Sequence, residues 1–392
     1  MALYSSCFAD FVSNIALIFF AGFIASFALR FGPPEFFALI LFSLTIIAGV
    51  AGDNLARGLI SACFGLLLAT VGLDLIYGTE RMIFGEPELM GGIKFIPVLI
   101  GLFALPEIID HYTRKLETHK RFAGLGDEGV TMAEWKRCFK SVVRGSFIGV
   151  IMGAIPGIGG APSAFLSYSE AKRTSKVSEN FGKGELEGIA AAESGNNGVC
   201  GATMIPLLAL GVPGDVITAV ILGAFMIHGL QPGPILFEQN ITIVYAIFMG
   251  IMLSSIYLLV VGKVGIKLFA QVSDVPNSFL YPIVLVLCVF GAYAVGNTMF
   301  DLIVMFVMGL VGYFMLKFKI PAAPFLIAFI LGPLLEDSFR QSLQLSRGSF
   351  DIFVRNPMCW VFLAMTVISI AMVIRRNIKL KKDKELKAML LE

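Results

Sequence analysis

Charge is scarce in this chain. Of its 392 residues only 15% are Asp, Glu, Lys or Arg while 57% are hydrophobic, and the mean hydropathy is +0.84. So few charged groups cannot cover a water-soluble globule, which excludes a soluble enzyme or binding module as the bulk of the molecule. A net charge of +2 offers no electrostatic footprint for nucleic acid. The three histidines, His111, His119 and His228, are too few for a metal centre. Six cysteines (Cys7, Cys63, Cys138, Cys200, Cys288, Cys359) are dispersed without CxxC or Cys/His spacing, so neither disulfides nor a metal site is indicated. HExxH and GxSG strings are lacking, and Gly182-Lys183 is followed by Gly184, so there is no P-loop to hydrolyse ATP. No Lys or Arg precedes Arg30; the apolar run after Asn14 therefore lacks the charged flank of a signal peptide and reads as a retained span.

What the sequence has instead is a succession of apolar runs near bilayer length, with Gly and Pro inside them. The expected fold class is an all-α integral membrane protein of about ten transmembrane helices plus two broken Gly-Pro segments, forming one permease domain over 1–392. Four spans are expected within 15–110 (15–29, 35–51, 55–76, 91–110) and six within 215–374 (215–230, 241–262, 279–296, 298–316, 321–339, 358–374). The polar stretch 111–144 carries Arg114, Lys115, Lys120, Arg121, Lys136, Arg137, Lys140 and Arg144 against four acids. The positive-inside rule places it in the cytoplasm, together with the basic tail 375–392. Lys263, Lys267, Lys317 and Lys319 fall inside as well if both segments of 145–214 enter and leave on the cytoplasmic side, so charge favours two re-entrant hairpins; Arg340, Arg347 and Arg355 in an outer loop count against this.

Those two segments carry the chemistry. The first has Gly149, Gly153, Pro156, Gly157, Gly159, Gly160, Pro162 and Ser163 within one apolar stretch. Gly and Pro at this density break a helix in mid-membrane and leave backbone groups that survive only against protein, water or solute. Half-helix N-termini of this kind present free amides to anions. Gly149 and Gly153 read more simply as a close-packing seam. The second segment places Glu193, Asn196 and Asn197, then Pro213, Gly214 and Asp215, in an otherwise apolar context. Buried polar groups are expensive unless they face a cavity, a partner or an ion, and Asn amides suit a carboxylate or a partly dehydrated cation. Glu193 has a blander reading as part of the cytoplasmic entry after Glu185 and Glu187, His228 reads as an interfacial histidine, and Asp215 reads as an N-cap.

The strings GVIMGAIPGIGG, SYSEAKRTSK, ENFGKGELEGIAAAESGNNG, PLLALGVPGD and HGLQPGPILF, flanked by RFGPPEFFAL, GTERMIFGEPELMGGI and FIPVLIGLFALPEI, resemble the large membrane subunit of the bacterial tripartite tricarboxylate transporters over about 30–357. The resemblance implies an inverted-repeat, elevator-style permease in the inner membrane. It also implies a small four-span membrane subunit, a periplasmic solute-binding protein, and uptake driven by an ion gradient, with Na+ or H+ as coupling ion and no other cofactor. By position it marks Pro156, Gly157, Gly159, Gly160, Glu193, Asn196, Asn197, Pro213 and Gly214 as the motif residues; Ser163 is included as a site candidate on its place in the first break. Ala192 stands where the family usually has Pro and Gly195 where it usually has Ala. Family members also begin with a repeat bearing its own PGxG hairpin, and one such hairpin is present here, so this sequence is expected to start after that repeat and not to transport by itself. The competing functions are a non-transporting membrane subunit and, further off, an intramembrane enzyme.

Overall fold

The computed structural model describes residues 1–50, 55–74, 78–113, 129–272 and 275–389. Arg114, Lys115, His119, Lys120 and Arg121 lie outside them, as do the ends of the expected spans 35–51 and 55–76 and the side chains of Lys267 and of the tail from Arg376 onward. In chain order the described elements are α1 (Ala2–Ala28), α2 (Pro33–Val50), α3 (Leu55–Ala69), the strands β1 (Gly72–Leu73) and β2 (Glu80–Arg81), α4 (Phe95–Thr113), α5 (Met132–Gly153), α6 (Gly160–Thr174), α7 (Leu186–Asn197), α8 (Cys200–Leu210) and α9 (Val216–Ile227). They continue with α10 (Pro234–Gln239), α11 (Ile241–Val272), α12 (Asn277–Gly296), α13 (Met299–Lys317), α14 (Ala322–Leu345), α15 (Asp351–Arg355) and α16 (Pro357–Met389).

Six helices among the described residues are long and apolar enough to cross a bilayer: those at Ala2–Ala28, Phe95–Thr113, Ile241–Ile266, Ser278–Gly296, Met299–Lys317 and Ala322–Leu345. The other four apolar segments are helical but shorter, at Pro33–Thr45, Leu55–Ala69, Val216–Ile227 and Pro357–Met372. At about 1.5 Å per residue, the 12 residues of α9 reach about 18 Å, well short of a hydrocarbon core of about 30 Å. Two expected boundaries are corrected. The first helix begins at Ala2, not at residue 15, because Ser5, Ser6, Asp10, Ser13 and Asn14 share one face with Leu17, Ala21, Ala25 and Ala28 and are buried with it. The run expected to span 55–76 stops as a helix at Ala69: Gly72 adopts φ +125, and β1 pairs antiparallel with β2 through Gly72↔Arg81 and Leu73↔Glu80.

The chain forms two compact units. The first comprises Met1–Arg30 and Lys120–Val275. In it α1 runs along α5, α7, α8 and α11, with Phe19, Phe20 and Phe23 on the opposite, exposed face. An exposed aromatic stripe of that kind suits lipid, not water. Thr131 caps α5 in a reciprocal box with Glu134; amide and hydroxyl donors from Thr131 hold the Glu134 carboxyl below its usual range. The α5 glycines recur every fourth residue and form the seam expected of them. A Cβ at Gly149 would come within 2.6 Å of the Gly198 Cα, and one at Gly153 within 2.9 Å of the Val199 Cα and the Ala202 Cβ.

The second unit comprises Phe31–His119 and Pro276–Glu392. Its helices pair as α3 with α14, α4 with α13, and α2 with α14 and α16. Glycines again set the approach: Gly65 lies on the Phe325 carbonyl and Gly101 on the Met305 carbonyl and the Met308 Cβ. Several of its charges are paired. Arg340 bridges Asp74 (2.6 Å) and Glu336 (2.9 Å), Arg81 meets Glu336 at 2.6 Å, and Lys94 meets Asp301 at 2.8 Å. These pairs fasten the hairpin to α14 and the entry of α4 to α13.

Close glycine contacts of this kind are tested by side-chain insertion. Gly101→Leu must push Met308 and the α13 backbone aside and is expected to destabilise the detergent-solubilised protein by about 1–3 kcal/mol. Gly250→Leu, whose Cβ meets nothing within 4 Å, should stay within about 0.5 kcal/mol of the parent. Thermal unfolding of both variants checks the pair.

Candidate functional site

The first Gly-Pro break separates α5 from α6. Helix α5 ends at Gly153 with Ala154 as its cap, and six residues, 154–159, intervene before Gly160 opens α6. Gly157 (φ +91) and Gly159 (φ +70) take left-handed backbone that side chains rarely adopt. The second break follows α8, where Gly211 ends the helix at φ +72 and Pro213-Gly214 leads to Asp215. Asp215 caps α9, accepting from the Thr218 amide at 2.8 Å while its own amide donates to the Thr218 hydroxyl at 2.9 Å. The two breaks meet: the Gly157 N–H donates to the Gly214 carbonyl at 2.6 Å, and Gly159 faces the Asp215 Cβ. Two stretches of irregular backbone thus satisfy one another where neither has a helix partner.

Helix α6 starts without a side-chain cap, its N-cap being Gly159. First-turn amides of a helix have no partners within it, and they carry the positive end of the dipole. Pro162 has no N–H, so the free donors at this end come from Gly159, Gly160 and Ala161. Asn196, itself exposed near the end of α7, places its amide oxygen directly against Gly160, at the position a Cβ would occupy. The arrangement presents backbone donors and a side-chain amide to one half-buried patch. That patch has the chemistry to receive a carboxylate.

The other candidates sit around this patch in structural engagements. Ser163 is fully buried and donates to the Gly195 carbonyl at 2.7 Å, tying α6 to α7. Gly195 itself lies on the Ser163 carbonyl (2.8 Å from a would-be Cβ) and on the Ser167 side chain, so an Ala has no room in this packing. Asn197 donates to Ser6 Oγ at 2.9 Å and to the Glu193 carbonyl at 3.1 Å, and Ser6 donates to Glu193 Oε2 at 2.9 Å. Pro213 and Gly214 are buried, whereas Pro156, Gly157, Gly159, Gly160, Glu193 and Asn197 are half-buried.

Sequence reasoning missed the polar start of α1. Ser13 inserts its hydroxyl where the junction of α7 and α8 would close a helical hydrogen bond: Ser13 Oγ donates to the Gly198 carbonyl at 2.6 Å and accepts from the Ala202 amide at 2.8 Å. A hydroxyl inserted into the helical ladder is a recognised cause of a break. One turn away, Asp10, Asn14 and Ser255 of α11 form a second buried polar group. The signal was the helical spacing of residues 6, 10, 13 and 14, which continues into the apolar stripe of α1. Among the described residues no group of three or more His, Cys, Asp or Glu is placed to hold a metal.

A family model described as the tripartite tricarboxylate transporter TctA family matches residues 1–327, which takes in both breaks and the polar face of α1. The chain belongs to the TctA family. An uncharacterized 52.8 kDa Agrobacterium vitis protein of the TAR-I ttuC′ 3′ region is 33% identical over 383 residues, 98% of this chain and 76% of that protein. A second uncharacterized Agrobacterium vitis protein, of the TAR-II ttuC′ 3′ region, is 32% identical over 235 residues, 60% of this chain and 97% of the relative. No solved structure matches. As a TctA-family member with six helices long and apolar enough to cross a bilayer, the chain is a multi-pass membrane protein of a tripartite transport system that includes other subunits.

The inserted hydroxyl gives this site its own test. Ser13→Ala removes both hydrogen bonds at the α7–α8 junction. Two buried backbone groups are left to find each other across the break, at an expected cost of about 1–3 kcal/mol. Thermal unfolding should show the loss, and Ser26→Ala, a surface hydroxyl that bonds only within α1, should show almost none.

Proposed function

We propose that this chain is the large permease subunit of a secondary transporter that imports a tricarboxylate or related carboxylate solute. The solute is handed over by a periplasmic binding protein, a small four-span subunit completes the membrane complex in the inner membrane, and an ion gradient drives uptake. The observation that carries the reading is the union of the two Gly-Pro breaks through Gly157 and Gly214, beside the uncapped start of α6 and the Asn196 amide. Discontinuous helices meeting at one place supply fixed donors to an anionic solute without a buried counter-charge. The chemistry asked of the chain is binding and release; no bond is made or broken, so it is read as a transporter and not as an enzyme. The basic residues at 136–144 in α5 and at 172–183 support a cytoplasmic side for the polar ends of α5, α6 and α7.

The experiment is uptake of labelled citrate into proteoliposomes containing the chain with its small subunit and binding protein, under an imposed ion gradient. Gradient-dependent accumulation is expected, and Asn196→Ala should lower the initial rate about tenfold or more, the consequence of losing a hydrogen bond to a charged solute. A complex that assembles normally but accumulates none of a panel of di- and tricarboxylates would favour the non-transporting subunit instead.

A further inference from the structure

The polar group at the centre of α1 has features that solute binding does not explain. Asp10 is 8% exposed, Asn14 1% and Ser255 4%, in helices apolar and long enough to cross a bilayer. The Asp10 carboxylate accepts from the Ser255 hydroxyl at 2.5 Å and from Asn14 Nδ2 at 3.4 Å, and the Cys200 thiol of α8 also faces it. Among the described residues no Lys, Arg or His pairs with it. A carboxylate in such surroundings is costly without a partner, and its presence marks a functional position.

Asn14 supplies the second observation. Its Nδ2 group, with two hydrogens, sits among three oxygens: Ser255 Oγ at 2.8 Å, the Ile251 carbonyl at 3.3 Å and Asp10 Oδ2 at 3.4 Å. Its Oδ1 is buried with no hydrogen-bond partner and lies against Gly201. A half-turn of the amide would bring that oxygen to where the nitrogen now sits, making four oxygens converge: a carboxylate, a hydroxyl, a main-chain carbonyl and an amide. Four converging oxygens repel one another unless a cation lies between them. With one, the orphaned oxygen gains a ligand role and the carboxylate gains its missing counter-charge. Hard cations take such all-oxygen sets.

We propose that Asp10, Asn14, Ser255 and the Ile251 carbonyl form the site of a sodium-sized monovalent cation, with the Asn14 amide filling the site in the cation-free state and turning to become a ligand when the ion enters. The proposal rests on the ion-driven reading above and names the place of coupling. The same α1 face that carries Asp10 and Asn14 bonds Glu193 and Asn197 through Ser6 and the α7–α8 junction through Ser13. Cation occupancy therefore bears on the elements beside the solute patch.

The test reads binding, not transport. The purified 392-residue chain in detergent is unfolded thermally over a series of NaCl concentrations at fixed pH, with choline chloride holding the ionic strength and KCl as the comparison. Sodium is expected to raise the midpoint saturably and potassium not to. Asp10→Asn and, separately, Ser255→Ala should each raise the half-saturating sodium concentration at least about tenfold. If Asp10→Asn does not fold, Ser255→Ala decides. An equal response to potassium, an unchanged sodium response in a variant that folds, or stabilisation that follows acidification in sodium-free medium and disappears in Asp10→Asn would each overturn the proposal, the last by making Asp10 a proton carrier. A chain that binds sodium but imports no carboxylate would leave the site standing and defeat the transport reading; carboxylate uptake indifferent to sodium would do the reverse.

Discussion

A hydrocarbon interior offers no water to an unpaired N–H or C=O, so a helix broken in mid-membrane has to find its backbone partners inside the protein. In this chain the hydrogen bond from Gly157 to Gly214 answers that requirement by setting one break against the other. Much of the first unit follows from it. The breaks must approach closely, which calls for glycine at 157, 159, 211 and 214 and for the α5 seam of Gly145, Gly149 and Gly153 against α7 and α8. Where α7 passes into α8, the same requirement is met by a side chain, with the Ser13 hydroxyl standing between the Gly198 carbonyl and the Ala202 amide. The first-turn amides of α6 are left without a side-chain cap.

Polar residues in this membrane protein divide into two kinds by how they are satisfied. Some are joined in ion pairs, as in the Arg81, Arg340, Asp74 and Glu336 network of the second unit, and they hold secondary structure in place. Others, such as Asp10, Asn14 and Ser255 of the first unit, are hydrogen-bonded without a counter-charge, and Asn14 Oδ1 has no partner. Completed ion pairs are poor places to bind anything, because a ligand would first have to break them. Groups bonded without a counter-charge retain the capacity to take up an ion.

The sequence displayed the breaks plainly, because Gly and Pro clustered inside apolar runs have few uses in a membrane other than interruption, and the helical character of all ten apolar segments was equally legible. Three matters were not. The polar start of α1 looked like a flank to be trimmed, since hydropathy averages over a window and ignores which face a residue occupies; its spacing at 6, 10, 13 and 14 held the information. Ser255 gave no sign, being one Ser within an apolar helix until the fold set it beside Asp10. The end of α3 was overrun because the residues after Ala69 are apolar, while the local cause of the turn is the φ of one glycine, Gly72.

The claim at the centre of this account is that the carboxylate solute binds at the open start of α6, and chemical protection tests it most directly. Ala161, exposed in the first turn of α6, can be replaced by Cys and its alkylation rate compared with that of the parent protein, with and without citrate and a panel of smaller carboxylates. The account predicts saturable protection by a carboxylate, and none by a neutral sugar of similar size. Alkylation at the same rate with every carboxylate present, in a complex that still accumulates one of them, would contradict it and move the solute site elsewhere in the chain.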